Sequence, residues 1–228
     1  MLGHAVIVAS GVEYRRLGVP SLDRWTGGGV FYGAAGTQAS ALAGERVCVV
    51  GGANSAGQAA LHLSESASHV TLIVRGATLE AGMSDYLVRQ IQVTSNIDVR
   101  LRSRIVEGHG TGRVAALELE NAEGRRETIL STAVFVMIGA EARTDWLGPS
   151  IRRDDHGFVL TGRDLPPDAC ATDRPPLPFE TSMPGVFAVG DVRHGSIKRV
   201  AEAVGEGSVA VGSVHQHLAR SQPSADRG

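Results

Sequence analysis

One segment constrains the fold more than any other: RVCVVGGANSAGQAALHLSESASHVTLIVR, residues 46–75. An apolar run, Val47 to Val50, ends on two glycines, and an alanine-rich stretch with helical spacing follows. A second apolar run, Val70 to Val74, begins about 20 residues after the glycines. Strand, Gly-rich turn, helix and strand in that order make a βαβ unit, whose parallel strands need covering on both faces. Asn54 or Ser55 is the expected N-cap of the helix. A helix start offers unpaired N–H groups and the positive end of the helix dipole, which suits the pyrophosphate of a dinucleotide. Gly51 is expected to make the tight turn, Gly52, Asn54 and Ser55 to line the ligand, and Ala56 to permit close helix–strand packing. The middle glycine of the usual pattern is replaced by Ala53, whose methyl is tolerated where φ stays negative. The alternative reading is an ordinary turn of an α/β core.

At the end of the second strand stands Arg75, where a dinucleotide site often carries a carboxylate for the ribose hydroxyls. A guanidinium there suits a 2′-phosphate, so NADPH is expected, with NADH left open. A second ligand signal is TSMPGVFAVGD, residues 181–191, an apolar run ending on Gly190-Asp191. Open α/β sheets bind ligands beyond the carboxyl ends of their strands, which is where this carboxylate stands.

Composition narrows the partners. A formal net charge of −2, with no basic run, argues against nucleic acid. No apolar run approaches the ~20 residues of a membrane span, and the start MLGHAVIVASG lacks the marks of a signal peptide, so a cytoplasmic location is expected. The 29 glycines among 228 residues suit a protein whose backbone approaches a ligand closely. The two cysteines, Cys48 and Cys170, are far apart and form no Cys-x-x-Cys. Cys48 reads as a buried core thiol, and Cys170 lies in a Pro-rich loop.

Elsewhere HAVIVASG reads as a buried strand, residues 14–29 as loop, and SDYLVRQIQVT as a helix opened by Ser84 or Asp85. The runs starting at Ile97, Arg113 and Arg126 read as strands joined by Gly turns, with EGHGTGR as a hairpin turn. DDHGFVLTG reads as an exposed strand pair, and residues 199–219 as a closing helix. Asp154-Asp155 reads as a turn, His215 and His217 as structural or surface residues, and Arg89 as solvated.

ETSMPGVFAVGDVRHGSIKRVAEAVGEGSVA resembles the carboxyl-terminal flavin-binding segment of the thioredoxin reductase family of pyridine nucleotide-disulfide oxidoreductases. VIVASG resembles that family's Ala-Thr-Gly crossover strand, VVGGANSAGQAA its NADPH turn, and VMIGAEARTDWL its return to the flavin domain, in order along nearly the whole chain. The resemblance implies that Asp191, beside Gly190, holds the ribitol of FAD and that Arg199-Val200-Ala201 lies against the isoalloxazine, Val200 standing where the family has Gln. It also implies cofactor-binding roles for Ser10 and Gly11 in the crossover and for Gly139 in the return. The family's Tyr-Cys-Ala-Thr-Cys dithiol falls on Tyr32-Gly33-Ala34-Ala35-Gly36, so the resemblance is to a branch without redox cysteines. A dithiol needs two sulfurs within bonding reach, and neither Cys48 nor Cys170 can supply them there. The family's first strand–GxGxxG–helix unit has no counterpart in these residues.

The expected fold is therefore α/β, a three-layer Rossmann-like NAD(P)-binding domain, residues 18–140, inserted in an incomplete FAD-binding domain. The latter comprises a crossover remnant, residues 1–17, and residues 141–228 with a disordered tail. By resemblance the function is hydride transfer from NAD(P)H to FAD with no catalytic side chain, no metal, an acceptor not specified by the sequence, and a homodimer as the family's assembly. The alternative is a non-catalytic NAD(P)H-binding module or a fragment of a larger flavoenzyme, and a ligand-free relic is a third reading. With that unit missing, apolar surface is expected to be exposed in the carboxyl-terminal segment.

Overall fold

The computed structural model describes residues 3–33, 40–169 and 174–221, and the chain divides into two compact units, residues 14–139 and residues 1–13 with 140–228. Ala34, Ala35, Gly36 and Cys170 lie outside the described residues.

The first unit is built on a parallel five-stranded sheet in the order β3 (Val30–Tyr32), β10 (Ala133–Val136), β4 (Arg46–Val50), β5 (His69–Ile73), β6 (Ile97–Arg100). Alternation along each strand sends its side chains to two separate cores. Val47, Val49, Val70, Leu72, Ala133 and Phe135 face α2 (Asn54–Ser64) and α3 (Asp85–Val93). Cys48, Val50, Ile73, Val134 and Val136 face the other way, onto α1 (Pro20–Asp23) and the antiparallel sheet β7 (Ser103–His109), β8 (Ala116–Asn121), β9 (Arg126–Leu130). The result is three layers, and it explains why the central strands are apolar throughout rather than alternating. Phe31 stacks on Phe135 with ring centroids 5.3 Å apart. Burial of the Cys48 thiol pushes its pKa up, which leaves it inert as a nucleophile.

Several sequence expectations change here. The stretch expected as loop, residues 14–29, contains the short helix α1, started by Pro20 at its first position. The run from Ile97 is two strands, β6 and β7, separated by Arg102 at φ 50°, and they belong to different sheets. The run from Arg126 likewise divides into β9 and β10. EGHGTGR does turn between the antiparallel strands β7 and β8.

The second unit has less regular structure. β1 (Val6–Val8) pairs in parallel with β12 (Val186–Ala188), and β2 (Val12–Tyr14) pairs with β11 (Ala140–Ala142) where the chain passes between units. A small core gathers Val8, Leu147, Ile151, Val159, Ala188 and Val192. The helix α4 (Val200–Ser221) closes the described chain. HAVIVASG is expected to be a buried strand, but only Val8 of β1 is buried, with Val6 and Ile7 50% and 42% exposed. A parallel strand is covered only when neighbours flank it, and among the described residues β1 has one neighbour. Val159, in the pair expected to be exposed, is fully buried and bridges both Arg153 and Arg193. Val200, Val204, Val209 and Val211 of α4 are exposed, as are Trp146 and Ile197, in keeping with the expected exposure of apolar surface. Among the described residues no helix is long and apolar enough to cross a membrane.

Candidate dinucleotide sites

The first candidate site is the turn between β4 and α2. Gly51 has φ +150°, and a Cβ there would run into the Met137 carbonyl oxygen and lie 2.9 Å from Ala56 Cβ. The close approach of the neighbouring β10 end thus requires glycine. Ala53 has φ −106° and is the N-cap, so its methyl meets the condition set by the sequence. Its carbonyl accepts the N–H groups of Ala56 and Gly57 at 2.9 and 3.2 Å. The N–H groups of Asn54 and Ser55 donate to nothing among the described residues, and the first turn carries no acidic side chain. An unneutralised helix start with two open donors fits a phosphate.

Asn54 and Ser55 are the expected caps, and neither serves as one. The Asn54 side-chain oxygen instead accepts the Ser84 N–H at 2.8 Å, tying the turn to the entry of α3. The loop before α3 also presses on the turn, since a Cβ on Gly82 would lie 2.6 Å from the Gly52 carbonyl oxygen. Ser84 is indeed the residue before α3. Ala56 is completely buried, Arg75 is exposed just beyond β5, and Arg89 is exposed on α3. Gly139, at φ +98°, follows β10 and accepts the Arg15 N–H at 3.1 Å.

The second candidate site lies in the other unit, at the end of β12. Gly190, Asp191 and Val192 form one 3-10 turn, and Gly190 takes φ +72°. Asp191 is half-buried, and no described side chain or N–H engages its carboxylate. Arg199, Val200 and Ala201 are exposed at the start of α4, Val200 by 83%. Ser10 is exposed between β1 and β2, beside Gly11 at φ +65°.

Charged pairs that sequence reasoning missed lie in the same unit, one of them on this turn. Glu206, on α4, accepts the Gly190 N–H at 2.6 Å and pairs with the Arg193 guanidinium. His194 Nδ1 lies 2.7 Å from Asp154, whose carboxylate also accepts the N–H groups of His156 and Phe158. Partial burial pushes the Asp154 carboxyl up, but these hydrogen bonds outweigh it and hold the group below the usual range. Asp154 is thus a turn residue, as expected, with a long-range partner besides. Glu180 is 2% exposed and accepts from Arg174 at 2.7 and 2.8 Å and from the N–H groups of Leu177 and Gly185. Desolvation raises its pKa, yet Arg174 and the two N–H groups together bring it below the ordinary value. His217 packs edge-on against Phe187 and beside Gly185, a structural role, whereas His215 is exposed.

Comparison with known proteins gives one answer. The chain is 30% identical to an alkyl hydroperoxide reductase subunit from Escherichia coli (strain K12) over 220 residues, 96% of this chain and 39% of that protein. Against the Pseudomonas putida protein of that name it is 31% identical over 222 residues, again covering 39% of it. Among solved structures, thioredoxin reductase from Streptococcus pyogenes MGAS5005 superposes with a TM-score of 0.76 at 28% identity, covering 95% of this chain and 66% of that one. Thioredoxin reductase from Giardia duodenalis gives 0.78 at 27% identity, with 94% and 66% covered. The chain therefore spans less than half of these curated relatives' length. Residues 1–207 match the pyridine nucleotide-disulphide oxidoreductase family. With the parallel sheet, its Gly51 turn and the Gly190-Asp191 turn in place, this chain belongs to that family.

Proposed function

We propose that the chain is the NAD(P)H-binding and flavin-contacting part of an oxidoreductase that works in the cytoplasm. FAD, when bound, supplies the two-electron chemistry by accepting hydride from the nicotinamide. The observation that carries this reading is that each turn leaves polar groups unspent among the described residues while its surroundings are bonded: the Asn54 and Ser55 N–H groups at one, the Asp191 carboxylate at the other. In this reading Gly51, Gly52, Asn54, Ser55 and Ala56 seat the pyrophosphate of NAD(P)H, and Arg75, exposed beyond β5, favours the 2′-phosphate of NADPH. Asp191 and Gly190 take the ribitol, Arg199, Val200 and Ala201 lie along the isoalloxazine, and Ser10, Gly11 and Gly139 complete the cofactor contacts. The proposed acceptor is something other than an internal dithiol, because glycine stands at Gly33 and Gly36 where the resembling reductases carry cysteine.

A second reading, an NAD(P)H-binding module without turnover, is favoured by one observation. Among the described residues β1 and β12 make a sheet of two parallel strands, and Val6 and Ile7 lie exposed on it. The two readings separate on incubation with FAD and gel filtration, followed by NADPH under anaerobic conditions. Co-eluting flavin whose visible band bleaches supports the oxidoreductase. A colourless protein that binds NADPH by calorimetry supports the module.

A further inference from the structure

The loop that carries Asp191 is fastened to α4 at both ends. Glu206, whose side chain is 7% exposed, accepts the Gly190 N–H at 2.6 Å and Arg193 Nε at 3.0 Å, with a second contact to Arg193 Nη2. Glu202, one turn earlier, accepts the Ile197 N–H at 2.6 Å. Helix and loop also touch directly, since a Cβ on Gly190 would lie 3.3 Å from Ala203 Cβ. Gly190, just before Asp191, and Arg193, two residues after it, thus converge on a single buried carboxylate. Asp191 itself is left out of the network. Arg193 is oriented further by the His194 carbonyl at 2.7 Å and the Phe179 ring at 5.4 Å.

A buried carboxylate costs desolvation, and an apolar residue of similar volume often serves stability as well. What an apolar residue cannot do is bind a backbone N–H and a guanidinium three residues apart at once. We propose that Glu206 is a positioning residue. Through Gly190 and Arg193 it fixes the Asp191 turn with the carboxylate presented to ligand hydroxyls, and Glu202 holds the far end of the same loop. The ligand part rests on the function proposed above, whereas the fixing of the turn does not.

The test uses the full chain and Glu206→Gln, which keeps size and removes charge. Amide hydrogen exchange in the absence of ligand is expected to quicken about tenfold at Gly190 to Val192, the loss of one charge-assisted hydrogen bond. Exchange at Val47 to Val50 is expected to stay unchanged. FAD affinity, measured by quenching of flavin fluorescence, is expected to fall about tenfold as well, with NADPH affinity unaltered. Arg193→Lys, which retains charge but not the two-pronged contact, is expected to loosen the same amides by less, and it serves should Glu206→Gln fail to fold. Unchanged exchange at Gly190 to Val192, or equal loss of protection throughout the unit, overturns the positioning role. A parent chain that binds no FAD while the variant still loosens the turn overturns the ligand reading and leaves the clamp standing.

Discussion

Gly51 sets the geometry of the first turn because the Met137 carbonyl oxygen occupies the space a side chain would need. Gly51→Ala is expected to abolish measurable NADPH binding by calorimetry and to lower stability by about 1–3 kcal/mol, the cost of a backbone forced off its position. Glu180 and Asp154 both titrate below the ordinary carboxyl range in the folded chain. The folded state therefore binds fewer protons than the unfolded one near pH 4, so their contribution is complete above about pH 5 and is lost as pH falls through the depressed values. Glu180→Gln is expected to cost about 3 kcal/mol at pH 7, since it removes the buried charge on which Arg174 and the N–H groups of Leu177 and Gly185 converge. Urea unfolding should show that this variant then loses less stability than the parent between pH 5 and pH 3, a range of about two units around the carboxyl titration. At this scale the sequence was legible where the requirement is local. Gly51 and Ala53 followed from the turn alone. Asn54 did not, because a residue 30 positions away, Ser84, claims the side chain that would otherwise cap the helix. Glu206 was equally hidden, since its burial depends on Arg193 and Gly190 coming to meet it.

The strands show a different limit. Apolar runs identified β4 and β5 because each is buried on both faces. The same reasoning joined β6 to β7 and β9 to β10, since apolar character records burial and says nothing of which sheet a strand enters. Arg102, at φ 50°, breaks the first pair, and no glycine signals it. In HAVIVASG the apolar residues do form a strand, but burial depends on neighbours that the run itself does not specify. Phe135 tests the central layer most simply. It is fully buried where β10 faces the helices α2 and α3, and it stacks on Phe31. Phe135→Ala is expected to cost about 3–5 kcal/mol by chemical denaturation, with a cavity left where the ring stood.

The two units differ in how well they are covered. Residues 14–139 carry two cores, one on each face of a five-stranded sheet, whereas the other unit has a small core and much of the exposed apolar surface. Amides of β4 and β5 are therefore expected to exchange by the highest-energy openings, and those of β1 and β12 by lower ones, in native-state hydrogen exchange. Equal protection in both units would show that the two-stranded sheet is better supported than its exposed side chains indicate. The central claim, that this chain brings NAD(P)H to a flavin, is tested most directly by anaerobic mixing of FAD-loaded protein with NADPH deuterated at nicotinamide C4. Bleaching of the flavin band with one NADP+ formed per flavin, slowed by the deuterium, is the predicted result. A flavin that is bound yet stays oxidised in the presence of bound NADPH would contradict it.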